Sequence, residues 1–175
     1  MKITNIITEP LFAPLRKPFK TAVRTATHIN DIMIKIETDE GVTGIGAVPP
    51  SEKVSGDTNE GDVALILNQL KPQLIGMDVA DKDSVLRKIQ GAFVHNTGAK
   101  AGVDIAVHDL YGKLIGQPLY RILGGDSNKI ETDLTISVND VATMVADSVE
   151  AVERGYRILK LKVGKDVKTD LERIL

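Results

Sequence analysis

Over the first fifty residues the apolar positions recur with a period of two. Lys2 to Thr8 alternates loosely, with Ile3 and Ile7 sharing a face. Asp31 to Thr38 alternates better, setting Ile32, Ile34 and Ile36 against Met33, Lys35 and Glu37. Asp39-Glu40-Gly41 supplies turn chemistry, and Val42 to Val48 reads as the returning partner strand. Leu11 to His28, studded with Pro14, Pro18, Arg16, Lys17, Lys20 and Arg24 and preceded by Pro10, reads as a long basic loop. Pro49 to Asn59 reads as a second loop. Two long polar loops leaving one small sheet is a layout that often serves binding.

From Glu60 to Leu123 the period changes to that of a helix. Val63, Ile66, Leu67 and Leu70 make one stripe, which Pro72 is expected to end. Asp81 to Val94 carries Val85, Ile89 and Ala92 on one side. Ala99 to Ile115 carries Val103, Ala106, Val107, Leu110 and Leu114, with Gly116 as its stop. Pro118 then opens a short helical turn. Gly124-Gly125 reads as a boundary, dividing an N-terminal domain, residues 1–125, from a second segment, residues 126–175. In that segment Glu131 to Val138 predicts a strand, and Val141, Met144, Val145, Ser148 and Val152 predict a helix capped by Asn139 or Asp140. Tyr156 to Val163 predicts another strand, and a helix is expected to start at Asp170. Strand, helix and strand at this spacing make a βαβ unit with parallel, neighbouring strands. Two such strands cannot bury both faces alone, so the segment reads as the opening of a larger α/β domain.

Composition narrows the function. Twenty-two Lys and Arg against 24 Asp and Glu leave a net charge of −2, without the basic excess of a nucleic-acid or membrane-surface binder. The absence of cysteine excludes disulfides, Cys-ligated zinc and thiol nucleophiles. With three Tyr, three Phe and no Trp, a base-stacking platform is not expected. No apolar run is long enough to span a bilayer and the N-terminus lacks a signal peptide, so a cytoplasmic location is expected. His28, His95 and His108 lack metal-ligand spacing, and Gly41-Val42-Thr43-Gly44-Ile45-Gly46 precedes a strand and not a helix, so it reads as a hairpin turn.

The candidate chemistry lies in Leu159-Lys160-Leu161-Lys162-Val163. Alternation puts Leu159, Leu161 and Val163 on one face and Ile158, Lys160 and Lys162 on the other. The preceding strand likewise opposes Leu134, Ile136 and Val138 to Asp133, Thr135 and Ser137. If helices cover the apolar faces, the polar faces point inward together. Two lysines about 7 Å apart in such a place repel each other, and repulsion and desolvation both favour the neutral amine. Lowering a lysine from about 10.4 to about 7–8 costs about 4 kcal/mol and yields a base usable at neutral pH.

Five stretches occur in the order and spacing of a known family: Pro14-Leu15-Arg16-Lys17-Pro18-Phe19 through Arg24; Glu40-Gly41-Val42-Thr43-Gly44 with Gly46; Gly102 through Leu110; Gly116-Gln117-Pro118-Leu119 to Gly124-Gly125; and Lys160-Leu161-Lys162-Val163-Gly164. On these the chain resembles the N-terminal half of an enolase-superfamily protein of the muconate-lactonizing subgroup, most closely a dipeptide epimerase. The resemblance implies an α+β capping domain (antiparallel sheet plus helices) followed by the start of a modified TIM barrel, truncated after its second strand. It implies a Mg²⁺-dependent epimerisation of L-dipeptides through an enolate, a type of mechanism in which a Lys base works with Mg²⁺. N-acylamino acid racemase, o-succinylbenzoate synthase and muconate cycloisomerase are the alternatives within the subgroup, and a non-catalytic association fragment is the alternative outside it.

By the same resemblance Lys162 is one of two bases that exchange the α-proton from opposite faces. Lys160 is the neighbouring cation that lowers its pKa and helps hold the enolate oxygen. Thr135 matches a substrate-contacting position, and Arg24 matches a residue that pairs with the substrate's terminal carboxylate. The family's metal ligands and second base are expected beyond Leu175, so the 175 residues alone are expected to be inactive. The expected partner is a small molecule, a dipeptide or N-acyl amino acid, with self-association left open.

Overall fold

The computed structural model describes residues 1–175, which fold as two compact units: Met1–Ala13 with Ile29–Asn128, and Pro14–His28 with Lys129–Leu175. The first is built on a three-stranded antiparallel sheet in the order β1 (Ile3–Lys20), β2 (Thr25–Thr38), β3 (Thr43–Val48). β2 and β3 pair from Ile32↔Val48 to Glu37↔Thr43, and the turn between them closes on Gly41, whose φ of 73° a side chain would oppose. Alternation holds as predicted: Ile32, Ile34 and Ile36 are buried.

The expected loop at Leu11–His28 is instead a continuation of β1 and β2 around a turn at residues 21–24. Prolines argued for a loop because they cannot donate to a ladder. Here Pro10, Pro14 and Pro18 recur every fourth residue, so in an uninterrupted strand all three missing N–H groups fall on one edge. β1 is an edge strand, so that spacing is compatible with pairing on its other side.

Helices cover the sheet. α1 (Asn59–Leu65) starts at Thr58, whose hydroxyl accepts the Gly61 N–H at 3.1 Å. Pro72 does not end the stripe. The helix widens into a π turn at Ile66–Leu70 and resumes as α2 (Lys71–Leu74), the wider turn preceding the residue that has no N–H. Ile66, Leu70 and Leu74 stay buried throughout. α3 (Lys82–Gly91) is capped by Asp81, and α4 (Thr97–Ile115) ends at left-handed Gly116, followed by α5 (Leu119–Ile122). α4 lies directly on β3. A Cβ at Gly46 would stand 2.0 Å from the Gly102 carbonyl oxygen, and one at Gly102 would stand 2.3 Å from Val48 Cγ2. The absence of side chains at these two positions brings helix and strand backbones together, and Val103, Ala106, Val107 and Leu110 fill the core around them.

The second unit holds a parallel pair, β4 (Leu134–Ile136) and β5 (Leu159–Leu161), with α6 (Val141–Glu153) between them and α7 (Val167–Ile174) after them. Asp140 caps α6, accepting from the Thr143 N–H at 2.9 Å and the Thr143 hydroxyl at 2.7 Å, while Asp166 caps α7. Hydrogen bonds from Thr143 hold the Asp140 carboxyl below its usual range, as those from Thr169 do for Asp166. Both strands are shorter than the sequence predicts because neighbouring groups find other partners. The Val138 N–H, for one, donates to the Lys20 carbonyl at 3.1 Å. No helix of the chain is long and apolar enough to cross a membrane.

Candidate active site

In the second unit Leu134, Leu159 and Leu161 pack with buried Ile136, Met144 and Ala151, so α6 covers the apolar face of the β4–β5 pair. The alternation therefore assigns the other face to Thr135 and Lys160, which are register partners across the two strands. Lys162 extends the ladder by one step, its N–H donating to the Ile136 carbonyl at 3.1 Å. Three of the four residues singled out from sequence thus belong to one polar face at the C-terminal end of a βαβ unit. The expected enclosure is only partly met. Lys162 is half-buried, but Lys160 is exposed, since these strands form a sheet of two. The packing of this chain therefore leaves Lys160 in solvent, with the two lysines spaced about 7 Å apart along the strand.

Arg24 is exposed and lies in the turn of the β1–β2 hairpin, within the same compact unit. The turn is closed by its own backbone. The Thr21 N–H donates to the Arg24 carbonyl at 2.9 Å, and the Arg24 N–H donates to the Thr21 hydroxyl at 3.2 Å. A hairpin tip on this unit was not foreseen, because Lys17 and Lys20 look like ordinary solvated cations in the sequence. Lys20 donates its N–H to Ser137 Oγ at 3.2 Å and its Nζ to Asn139 Oδ1 at 2.8 Å. Lys17 Nζ reaches Asp147 and Glu150 on α6, at 2.8 and 2.5 Å. Those hydrogen bonds raise the Lys17 pKa and lower that of Glu150.

The rim is completed by a pair that sequence reasoning also missed. Asp170 accepts the Gly164 N–H at 2.7 Å and an Arg173 N–H at 2.6 Å, and Arg173 Nε donates to the Asn139 carbonyl at 2.8 Å. The Gly164 hydrogen bond is the main reason that the Asp170 carboxyl titrates below its ordinary range. Opposite charges three residues apart in a helix were the available signal.

No group of three or more His, Asp or Glu side chains that could hold a metal ion is found among the described residues, so the residues present do not make a Mg²⁺ site. The histidines do other work: His108 pairs with Asp104 at 2.8 Å along α4. The glycine-rich segment from Gly41 is the hairpin turn and β3, as predicted. One buried carboxyl escaped notice in the sequence. Asp62 on α1 is 1% exposed and neither carboxylate oxygen has a hydrogen-bond partner. Desolvation, with buried Asp57 adding repulsion, pushes its pKa up to about 6. Both carboxylates approach Gly98 near the start of α4, where a Cβ would stand 3.1 Å from Asp57 Oδ2 and 3.5 Å from Asp62 Oδ2.

Comparison with known proteins identifies the family. Residues 2–124 match the family described as mandelate racemase / muconate lactonizing enzyme, N-terminal domain. The chain is 48% identical over 174 residues to the L-Ala-D/L-Glu epimerase of Clostridium acetobutylicum, covering 99% of this chain and 49% of that protein. It is 40% identical to the L-Ala-D/L-Glu epimerase of Bacillus subtilis, whose substrate-liganded structure superposes with a TM-score of 0.97 over 99% of this chain and 49% of that one. The dipeptide epimerase of Cytophaga hutchinsonii, solved with Mg and the dipeptide D-Ala-L-Val, gives a TM-score of 0.92 at 32% identity, over 99% of this chain and 47% of that one. The chain thus spans about half the length of the curated relatives it matches. The matched residues, the capping sheet with its helices and the relatives along the whole chain agree on one assignment: the chain belongs to the mandelate racemase / muconate lactonizing enzyme family, whose N-terminal domain is matched by residues 2–124.

Proposed function

We propose that this chain supplies the capping domain and first barrel strands of a Mg²⁺-dependent epimerase of L-dipeptides. The observation that carries the reading is the polar face of the β4–β5 pair, with Thr135 and Lys160 in register and Lys162 one step beyond, in the same unit as the turn bearing Arg24. The names of the relatives, which describe epimerases of L-Ala-D/L-Glu and related dipeptides, support the substrate class.

In this reading the Lys162 amine removes the α-proton of the bound dipeptide from one face. Lys160, on the same side of the strand, stabilises negative charge on the adjacent carbonyl oxygen. Thr135 contacts the substrate, and Arg24 pairs with its terminal carboxylate. A bound Mg²⁺ would add electrophilic stabilisation of the enolate. The described residues offer no cluster of His, Asp or Glu side chains to hold it.

The test is α-proton exchange in D₂O by the full-length enzyme, using L-Ala-L-Glu and an N-succinyl amino acid as competing substrates. Exchange and epimerisation of the dipeptide, lost in Lys162→Ala, are expected. Preference for the N-succinyl substrate would reassign the enzyme to an N-acylamino acid racemase. Near-normal turnover by Lys162→Ala would remove the reading's main support.

A further inference from the structure

We propose that Lys17 and Lys20 are positioning residues: they latch the hairpin tip bearing Arg24 onto the C-terminal end of β4, and so set affinity for the carboxylate end of the substrate. The choice of substrate rests on the epimerase reading above; the latch rests on the unit's own hydrogen bonds.

The segment carries four cations, Arg16, Lys17, Lys20 and Arg24, and the structure gives two of them a specific anchoring role. Lys20 is held three ways. Its N–H donates to Ser137 Oγ at 3.2 Å, its carbonyl accepts from the Val138 N–H at 3.1 Å, and its Nζ donates to Asn139 Oδ1 at 2.8 Å. Asn139 is itself fixed, its carbonyl accepting from Arg173 Nε at 2.8 Å. Lys17, three residues earlier in β1, bridges Asp147 and Glu150, two carboxylates three residues apart on α6. Between Lys20 and Arg24 the chain has little slack, because Thr21 closes the turn by bonding both the Arg24 carbonyl and the Arg24 N–H. The tip also lies against the loop that follows β5. A Cβ at Gly164 would stand 3.6 Å from Ala22 Cβ, and Gly164 is only two residues past Lys162. The Arg24 backbone is therefore indexed to the same strand ends that carry Thr135 and Lys162.

Lys17 is 59% exposed, so each of its ion pairs changes an equilibrium by roughly two- to fivefold and weakens in salt. The latch is correspondingly a matter of affinity and not of folding.

The experiment uses the full-length enzyme and two substrates, a dipeptide with a free C-terminal carboxylate and its C-terminal amide. Lys17→Met, and separately the double variant Asp147→Asn/Glu150→Gln, should raise KM for the acid roughly three- to tenfold, a scale set by losing two such pairs. KM for the amide and kcat for both should stay within twofold, and Lys17→Arg should restore the acid's KM. In an Arg24→Met background Lys17→Met should add nothing. Equal movement of KM for acid and amide, or no movement of either, overturns the proposal. Hydrogen exchange of the 19–25 amides supplies a readout independent of turnover. Faster exchange there in Lys17→Met, with β3 unchanged, supports the latch, and unchanged exchange overturns it. A wild-type enzyme that epimerises neither substrate refutes the functional reading, while the exchange measurement still decides the latch.

Discussion

Replacing Asp62 by Asn should stabilise the protein at pH 8 and do so only about a third as much at pH 4.5. The carboxyl is 1% exposed, neither oxygen has a donor, and buried Asp57 repels it, so its pKa rises from 3.8 to about 6. That is about 2 units at 1.36 kcal/mol each, so ionising Asp62 in the folded state costs up to about 3 kcal/mol more than in the unfolded chain. The sign follows from proton binding. Between about pH 4 and pH 6 the folded state holds a proton that the unfolded state has released, so this group's contribution to stability falls as pH rises through that window, and the penalty is complete above it. The hydrogen-bonded carboxyls Asp140, Asp166 and Asp170, whose pKa values are lowered, act in the opposite sense at lower pH: their contribution is present above the unfolded value and is lost as pH falls through the folded one. Asn keeps the shape and cannot ionise. Relaxation or water entry reduces the full figure, so urea denaturation at pH 8 should show a gain of about 1–3 kcal/mol, shrinking to about a third of that at pH 4.5, where the folded carboxyl is protonated but the unfolded one, with its usual value of 3.8, is already mostly ionised. A difference that does not change between the two pH values, or a loss at both, would refute the assignment of an unpaired, buried, titrating carboxyl.

Three further outcomes follow from the packing and the site. Gly46→Ala puts a Cβ 2.0 Å from a backbone oxygen that cannot rotate away and should cost about 3 kcal/mol or more in thermal denaturation, whereas Gly102→Ala meets only the side chains of Val48 and Ile34 at its closest contacts and should cost about 1–3 kcal/mol. Asp140→Ala removes the cap of α6 and should cost about 1 kcal/mol, measurable as a shifted urea midpoint. On the epimerase reading proposed above, Lys160→Ala in the full-length enzyme should lower kcat by about 100-fold, about 3 kcal/mol, measured with a dipeptide substrate.

The alternation of Ile32, Ile34 and Ile36 and the helical stripe of α4 were legible because one face of each element is buried against the other, and burial writes a period into the sequence. The same logic exposed the Lys160 and Lys162 face, since its opposite face had to be apolar to meet α6. Pro14 and Pro18 misled because their effect depends on which strand edge is free, a tertiary fact that composition does not carry. Pro72 misled for a related reason: a π turn keeps the buried stripe running into α2 ahead of it. Lys17 and Lys20 were indistinguishable from their basic neighbours, because their partners lie more than a hundred residues away along the chain. Asp62 left no trace either, since an acidic residue in the first turn of a helix is favourable on local grounds and only the arrival of α4 and Asp57 makes it costly.

The Lys17 and Lys20 contacts also constrain the order in which the molecule can be completed. The hairpin tip leaves the ribosome among the first residues, yet Glu150, which it must meet, is 133 positions later. During synthesis the β2–β3 register and the helices up to α5 can close while the tip still lacks those partners, so this stretch waits as an unlatched basic arm until α6 has been made. Ending the chain after Gly125 would leave that arm permanently without its partners, because its anchoring groups, Ser137, Val138, Asn139, Asp147 and Glu150, all lie beyond the cut. Residues 14–28, though made early, therefore mature only as part of the unit that residues 129–175 complete.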